Sequence, residues 1–416
     1  MKVLSLFTGA GGLDVGLERA GFSIAGCIEV DPDCQQTLRT NRAEWSLAQT
    51  GDIHGLRASD VLSTFGVTKG EVVLLAGGPP CQPFSKSAQW HDNAAKRMRD
   101  PRARTLEAYF RVLEATLPQA MLLENVKGIT AARKRVTQPY EGLDVLRSSL
   151  ARINRRNGTA YEPYLLLVDA ADYGIPQHRE RVFVFAARDG SGLSRPAATH
   201  GPAARAANGS AAVERYMTAW DAIGHLDDPE FDPALRPRGV WAELLPSIPE
   251  GCNYLHHTPR GTGEPLFGWR TRYWSFLLKL AKARPSWTIQ AQAGPATGPF
   301  HWRSRRLGID ELARLQCFPE EWSFAGNAAS AHRQVGNAVP PPVGEALGLQ
   351  IRREVFGQAL SPRVPLVPKA RDDCPPPEQF APVPAQYLER RAQHADHPGA
   401  GRGPSPRRVV APLEGR

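Results

Sequence analysis

This sequence lacks paired cysteines, long apolar runs and a P-loop signature, and each of these absences excludes a kind of protein. Its six cysteines form no C-x-x-C pair and no zinc-like spacing, which argues against a disulfide framework and a structural metal site. No apolar run approaches the roughly 18 residues that cross a bilayer, and the strand-like residues 2–7 leave no room for a signal peptide. No Gly-Lys-Ser/Thr follows the first glycine-rich turn, so the turn is not a P-loop. We therefore expect a cytoplasmic protein without metal or membrane anchor.

The composition predicts more than one domain. With 416 residues, of which 42% are hydrophobic, the chain can form two domains with sizeable cores. Its formal net charge of +9 suits a polyanionic partner such as nucleic acid. Residues 188–270 show no clear period, which predicts an irregular second domain or a large insert. Residues 357–416 are rich in Pro and Arg with few large apolar side chains, and we expect a disordered basic tail there.

The start of the chain has the pattern of a nucleotide-binding crevice. A strand-like run at 3–7 leads into T-G-A-G-G at 8–12 and then into a helical pattern at 13–20. Such a turn lets a ligand approach bare backbone and faces the N–H groups of the helix. Glu29 ends the next strand, about 20 residues after the turn, where a carboxylate can bind ribose hydroxyls. Asp52 falls at a plausible third strand end and could bind an adenine amino group, although a helix cap or turn is its simpler role.

A thiol and a carboxylate follow two later strands. Cys81 lies in G-G-P-P-C-Q-P-F-S at 77–85, after a buried strand predicted at 72–76. The glycines allow close approach and the prolines stiffen the loop, so Cys81 is a candidate nucleophile rather than a buried apolar residue. Glu124 ends another buried strand and is a candidate acid or base at the same sheet edge, unless it is an ordinary strand-end glutamate.

Two arginines lie between the last predicted strands of this part. Arg179 and Arg181 share one face if their segment is extended, and His178 and Glu180 then point away and have structural roles. Residues 85–104 are polar and basic without periodicity, which predicts a loop.

In this order the motifs resemble those of the cytosine-C5 DNA methyltransferases, chiefly the bacterial enzymes of restriction-modification systems. Seven segments within residues 1–356 carry the resemblance: F-T-G-A-G-G (7–12), Glu29, P-P-C-Q (79–82), E-N-V (124–126), Q-x-R-x-R (177–181), residues 305–322 and Q-V-G-N-A-V-P (334–340). Seven motifs in the family's order carry far more weight than any one of them. The sequence departs from the family after Cys81, because S-K-S-A-Q-W (85–90) lacks the glycine that often follows the serine.

The resemblance implies an α/β fold, with a Rossmann-like S-adenosylmethionine-dependent methyltransferase sheet and a smaller, irregular target-recognition domain. The implied division is a catalytic and cofactor-binding domain (1–187), the target-recognition domain (188–325), a segment returning to the catalytic domain (326–356) and the tail (357–416). The implied activity moves a methyl group from S-adenosylmethionine to C5 of a cytosine flipped out of double-stranded DNA. The protein would be a monomer that protects host DNA, with a cognate restriction endonuclease as a genetic partner.

The resemblance also implies site residues. The catalytic residues would be Cys81, Glu124, Arg179 and Arg181, with Arg179 the stronger active-site candidate of the two arginines. The cofactor would be bound by Phe7, Thr8, Gly9, Gly11, Gly12, Leu13, Glu29, Val30, Asp52, Ile53, Pro79, Asn337 and Val339. DNA contacts would come from Ser85, Lys86, Arg97 and Arg99 in a closing loop and, in the target-recognition domain, from Arg270, Arg272, Gln290 and Gln292. For these last four residues a solvated or structural role is the simpler interpretation.

Three other functions stay open at this point. An RNA cytosine-C5 methyltransferase would use the same chemistry, although the large segment 188–303 favours a DNA-reading domain. A catalytically idle DNA-binding relative is opposed by the intact Cys81, Glu124 and Arg179. A thiol hydrolase would leave the glycine-rich turn and Glu29 unexplained.

Overall fold

The structure is a computed structural model that describes residues 1–80, 104–126, 141–202, 213–358 and 364–389. Five of the predicted site residues lie outside the described residues, namely Cys81, Ser85, Lys86, Arg97 and Arg99. No helix in the described ranges is long and apolar enough to span a membrane.

The apolar runs of the first 190 residues form a six-stranded sheet with the order β2-β1-β3-β4-β7-β5. Its strands are β1 (Lys2–Leu6), β2 (Ser23–Ile28), β3 (Leu74–Gly77), β4 (Ala120–Asn125), β5 (Tyr164–Asp169) and β7 (Glu180–Ala187), and the short β6 (Gln177–His178) precedes β7. Strands β1 to β4 are parallel, whereas β7 runs antiparallel to β4 and β5. Because helices cover both faces of parallel strands, these strands are nearly continuous apolar runs. The predicted Rossmann-like α/β sheet is confirmed.

Helices bury both faces of the sheet. The helices of the first 190 residues are α1 (Gly12–Arg19), α2 (Pro32–Asn41), α3 (Ala58–Thr64), α4 (Arg104–Thr116) and α5 (Glu141–Asn157). The later helices are α6 (Ala219–Ile223), α7 (Ile309–Leu315), α8 (Ala328–Asn337), α9 (Pro341–Glu354) and α10 (Ala385–Leu388). One core joins α1 and α9 to the sheet, and a second core joins α3, α4 and α5 to the other face. Helix α9 can approach α1 because Gly16 has no side chain: a Cβ there would lie 2.2 Å from the Pro341 carbonyl oxygen. The segment that contains α9 thereby returns to the helix that follows the glycine-rich turn.

Residues 213–302, which we call the recognition region, contain little regular structure. They hold α6, short 3₁₀ turns, β9 (Glu214–Arg215), which pairs with β8 (His200–Gly201), and β10 (Ser286–Trp287). Their apolar side chains form two clusters, one shared with α7 and α8 and the other shared with Tyr387 of α10. Strand β10 pairs in parallel with β6, with Trp287 opposite His178, so the region is joined to the chain just before the two arginines. The irregular character matches the prediction, and the exact domain boundaries stay a prediction.

The expected third strand before Asp52 is absent. Only one isolated bridge, between Cys27 and Leu47, lies in that stretch, and Asp52 closes a turn by accepting a 2.9 Å hydrogen bond from the backbone N–H of His54. Asp52 therefore has the turn role that its residue type favours.

The prediction of a disordered tail over 357–416 is wrong for residues 364–389, which we call the C-terminal strap. The strap packs along the recognition region, and Tyr387 in α10 is only 2% exposed. Ion pairs, hydrogen bonds and one buried ring hold the strap in place. The prediction failed because composition shows only how much apolar surface a segment can bury, and it does not show such polar contacts.

Candidate active site

A cavity of about 440 Å³ opens where β1, β2, β3 and β4 end, a volume within the usual range for small-molecule sites. Twelve of the thirteen predicted cofactor residues line it, namely Phe7, Thr8, Gly9, Gly12, Leu13, Glu29, Val30, Asp52, Ile53, Pro79, Asn337 and Val339. Glu124, Arg179 and Arg181 line the same cavity. These twelve residues and the three catalytic candidates that the structure describes are therefore neighbours in space.

The glycine-rich turn is held open by Glu29. The Glu29 carboxylate accepts a 2.6 Å hydrogen bond from the N–H of Gly9 and a 2.8 Å bond from the N–H of Asp31. Burial raises the pKa of Glu29, and these two backbone bonds oppose that rise. Phe7 adopts a left-handed backbone (φ 56°), a conformation costly for a non-glycine residue that occurs at ligand sites. This arrangement leaves the backbone of the turn facing the cavity.

Two neighbouring glycines of the turn have different roles. Gly12 lies against the C-terminal segment, since a Cβ there would be 2.2 Å from the Val339 carbonyl oxygen. Gly11 is not among the residues that line the cavity, and its role in cofactor binding stays a prediction. It has a left-handed backbone (φ 80°), and a Cβ would meet the Leu38 side chain at 2.9 Å. Gly11 is therefore required for the turn and its packing.

Glu124 and Arg181 form a shielded ion pair at the end of the cavity. Arg181 Nε lies 2.9 Å from Glu124 Oε1, with 16% and 13% of the two side chains exposed. Burial raises the pKa of Glu124, while the positive charges of Arg181 and, to a smaller degree, Arg179 oppose the rise. A raised pKa favours the protonated carboxyl group that a catalytic acid requires.

The chain that leads to Cys81 approaches Glu124 directly. A Cβ on Gly78 would lie 3.0 Å from Glu124 Oε2, and the Asn125 amide is 3.5 Å from the Pro79 carbonyl oxygen. The start of the thiol loop and the carboxylate thus meet at the sheet edge, as expected for adjacent parallel strands.

Arg181 forms a 2.9 Å ion pair with Glu124, while the stronger active-site role predicted for Arg179 stays a prediction. Arg179 is 1% exposed, and its guanidinium donates to the carbonyl oxygens of Ile289 (3.2 Å) and Gly336 (2.7 Å). Both arginines face the cavity side of the extended segment as predicted, and packing from distant segments determines which of them reaches Glu124.

The four predicted DNA-reading residues fall into two groups. Arg270 and Gln292 are exposed, and Gln290 is exposed while donating a 2.8 Å bond to Ser275 Oγ. Arg272 is half-buried with its guanidinium 5.8 Å from the ring of Phe276, and its assignment as a base-reading residue stays a prediction.

Comparison with known proteins agrees with this geometry. The family model of the C-5 cytosine-specific DNA methylases matches residues 1–230 and 250–353. The chain belongs to the C-5 cytosine-specific DNA methylases. Among curated relatives of this methylase, the type II methyltransferase M.SacI of Streptomyces achromogenes is 37% identical over 377 residues, covering 83% of this chain and 91% of the relative. The type II methyltransferase M.AquIA of a Picosynechococcus strain is 36% identical over 232 residues, covering 54% of this chain and 88% of the relative.

Solved structures share the fold of this methylase. A putative DNA modification methyltransferase encoded within an E. coli prophage superposes with a TM-score of 0.57 at 20% identity, over 86% of this chain and 99% of the other. The S. pombe Dnmt2 methyltransferase gives 0.54 at 17% identity over the same shares. These matches confirm the predicted methyltransferase fold class.

Two features of the methylase site escaped sequence analysis. Asp14 lines the cavity at 1% exposure with no hydrogen-bond partner for its Oδ1, and burial raises its pKa to about 7. An acidic residue in the first turn of a helix is ordinary, so no pattern marked it. Arg333 also lines the cavity and bonds to Asp31, which caps α2, at 3.0 Å. Within the described chain, no group of three or more His, Cys, Asp or Glu side chains could hold a metal ion.

Proposed function

We propose that this methylase uses Cys81 and Glu124 to methylate C5 of a cytosine flipped out of a specific duplex DNA sequence, with S-adenosylmethionine as the donor. The observation that carries the proposal is the single cavity in which the glycine-rich turn and Glu29 face the Glu124–Arg181 pair. One ligand end can lie at Glu29 while a reacting base lies at Glu124.

The residues of the turn fit S-adenosylmethionine. The exposed backbone of Gly9 and the Glu29 carboxylate suit the sugar and amino acid parts of such a ligand, and Val30 offers an apolar surface that is 66% exposed. Asp52 stands at the cavity rim, where its carboxylate can accept from an adenine amino group. When bound, S-adenosylmethionine supplies an electrophilic methyl group.

The chain's own side chains prepare the cytosine. Carbon C5 is a weak nucleophile until a thiolate adds at C6, and Cys81 is the thiol of the loop that begins beside Glu124. In protonated form, Glu124 donates a hydrogen bond to N3 and so stabilises the negative charge that develops on the ring. Arg181 holds the carboxyl in place through its 2.9 Å contact. Once C5 has accepted the methyl group and then lost its proton to water or a base, the Cys81 thiolate leaves C6 and the ring is restored.

The target base must leave the duplex, because C6 is inaccessible in the base stack. Gln290 and Gln292 of the recognition region are exposed and can contact DNA. They follow Ile289, whose carbonyl oxygen accepts a hydrogen bond from Arg179. The type II methyltransferases among the relatives support a restriction-modification role, with a cognate endonuclease as a genetic partner. We propose a monomer that acts in the cytoplasm, where host DNA is found.

Bisulfite sequencing of DNA from cells that express the protein tests the proposal and reveals the methylated sequence. A Cys81→Ser variant should lose methyl transfer and keep its affinity for duplex DNA, because the hydroxyl is far less nucleophilic than the thiolate. Full activity of the variant contradicts the covalent scheme. Radiolabelled methyl transfer to tRNA rather than to duplex DNA would favour an RNA methyltransferase instead.

A further inference from the structure

The C-terminal strap lies beyond residue 353, where the family match ends, and connects the two parts of the molecule. At its start, Arg19 of α1 donates a hydrogen bond to the Val364 carbonyl oxygen, and the Val367 side chain packs against Gly174. The strap then reaches the recognition region, where the Arg371 N–H donates to Asp221 at 2.7 Å. A single segment of chain thus contacts the catalytic sheet region and the recognition region in turn.

The strap completes a buried charge cluster. Lys279 and Lys282 are 3% and 2% exposed, and Glu250 is the buried carboxylate of the recognition region that faces them. Glu378 of the strap accepts a 2.9 Å bond from Lys282, and its backbone N–H donates to Glu250 at 2.8 Å. Glu378, whose side chain is 36% exposed, thus adds a second carboxylate beside the buried Lys282 ammonium group, and it also lies 3.8 Å from Arg303.

The strap also completes an apolar core. Tyr387 stacks on Trp241 with ring centroids 5.8 Å apart and an interplanar angle of 19°, and its hydroxyl donates to the Val240 carbonyl oxygen at 2.7 Å. Trp241 in turn contacts Phe267 and Phe276. These aromatic rings support residues 268–274, a segment on which Arg270 is exposed. The ring of Tyr387 therefore stabilises the base of a candidate DNA-contacting loop.

We propose that the C-terminal strap positions the recognition region for DNA reading, with Glu378 and Tyr387 as its positioning residues. The strap fixes the recognition region through a charge pair and a stacked ring, and fixes itself to α1 at the opposite end. Because these contacts are remote from the cavity, weakening them should alter duplex binding and sequence choice, while cofactor binding and the chemical step continue. The inference rests on the proposed function as a DNA methyltransferase.

Full-length Glu378→Gln and Tyr387→Leu variants test the proposal, with Tyr387→Phe to restore the ring and Lys369→Ala as a control at an exposed strap position. We expect Glu378→Gln and Tyr387→Leu each to raise KM for the target duplex about three- to tenfold, the change that loss of one such contact makes in an equilibrium constant. Discrimination against a duplex with one altered base should fall as well. The kcat and the Kd for S-adenosylmethionine should stay at wild-type values, and Tyr387→Phe and Lys369→Ala should resemble wild type.

All rates are measured at a temperature at which circular dichroism shows each variant to be folded. A lower melting temperature with unchanged KM and unchanged discrimination overturns the proposal, as does a change confined to kcat or cofactor affinity. If Tyr387→Leu does not fold, the isosteric Glu378→Gln decides alone. Wild-type protein that fails to methylate duplex DNA would instead refute the proposed function, so the two failures are distinguishable.

Discussion

Replacing Arg181 by methionine tests whether this arginine controls the charge of Glu124. The two side chains are at most 16% exposed and their charged atoms lie 2.9 Å apart, so solvent and salt screen them weakly. Removing one partner of a buried pair leaves the other charge uncompensated, at a cost of about 3–5 kcal/mol of folding stability. Glu124 can avoid that cost by binding a proton, and the penalty should therefore depend on pH.

The sign of this pH dependence follows from the direction of the pKa shift. Burial raises the pKa of Glu124 in the folded protein, so its contribution to stability is present at low pH and is lost as the pH rises through that pKa. Without Arg181 the folded-state pKa is higher still, and the loss continues to higher pH. The difference in unfolding free energy between wild type and variant should be small in acid. It should grow with pH by up to about 1.4 kcal/mol per unit, toward the full cost of the broken pair.

Urea unfolding of wild type and Arg181→Met from about pH 5 to about pH 9 measures this difference. A matched control is Arg156→Met, because Arg156 lies 3.4 Å from Glu114 but is 64% exposed, and its loss should cost less than about 1 kcal/mol at every pH. The reasoning is refuted if the Arg181→Met penalty is flat with pH. It is also refuted if the same pH slope persists when Glu124 is already glutamine.

Two further substitutions probe the walls of the cavity. Gly12→Ala places a methyl group 2.2 Å from the Val339 carbonyl oxygen, so titration calorimetry should show at least about a tenfold loss of S-adenosylmethionine affinity. The control is Gly55→Ala, where a Cβ is not crowded, and an equal loss of affinity in that variant would contradict this explanation. Arg179→Lys retains the charge but cannot reproduce the planar guanidinium that bonds to two carbonyl oxygens. Thermal unfolding should therefore show a loss of roughly 1–3 kcal/mol in the free energy of unfolding. An unchanged melting temperature would contradict a structural role of Arg179.

The parts of the site that depend on local sequence were predictable. A glycine-rich turn between a strand and a helix, and a carboxylate at the end of the next strand, bring Gly9 and Glu29 together by topology alone. The same rule placed Glu124 beside the loop that starts at Gly78, because adjacent parallel strands end at one edge. Side-chain alternation also placed Arg179 and Arg181 on one face.

The parts that depend on distant packing were not predictable. The two carbonyl groups that bind the Arg179 guanidinium belong to Ile289 and Gly336, at least 110 residues further along the chain. The C-terminal strap was misjudged for a related reason: its order depends on Lys282 and Trp241, which lie about a hundred residues or more before their partners. Composition records how much apolar surface a segment has, and it does not record whether another segment supplies the matching charge or ring.

Arg179 links the recognition region to the wall of the cavity. Its guanidinium bonds the carbonyl of Ile289, which directly precedes the exposed Gln290, and the carbonyl of Gly336 on the cavity wall. Two residues further along the chain, Arg181 holds Glu124. If residue 289 shifts on DNA binding, it must either break its bond to Arg179 or move Arg179 as well. The extended backbone of residues 179–181 would then transmit the shift to the Glu124 carboxylate. We infer that correct docking of the recognition region and correct placement of Glu124 are coupled through this one buried arginine.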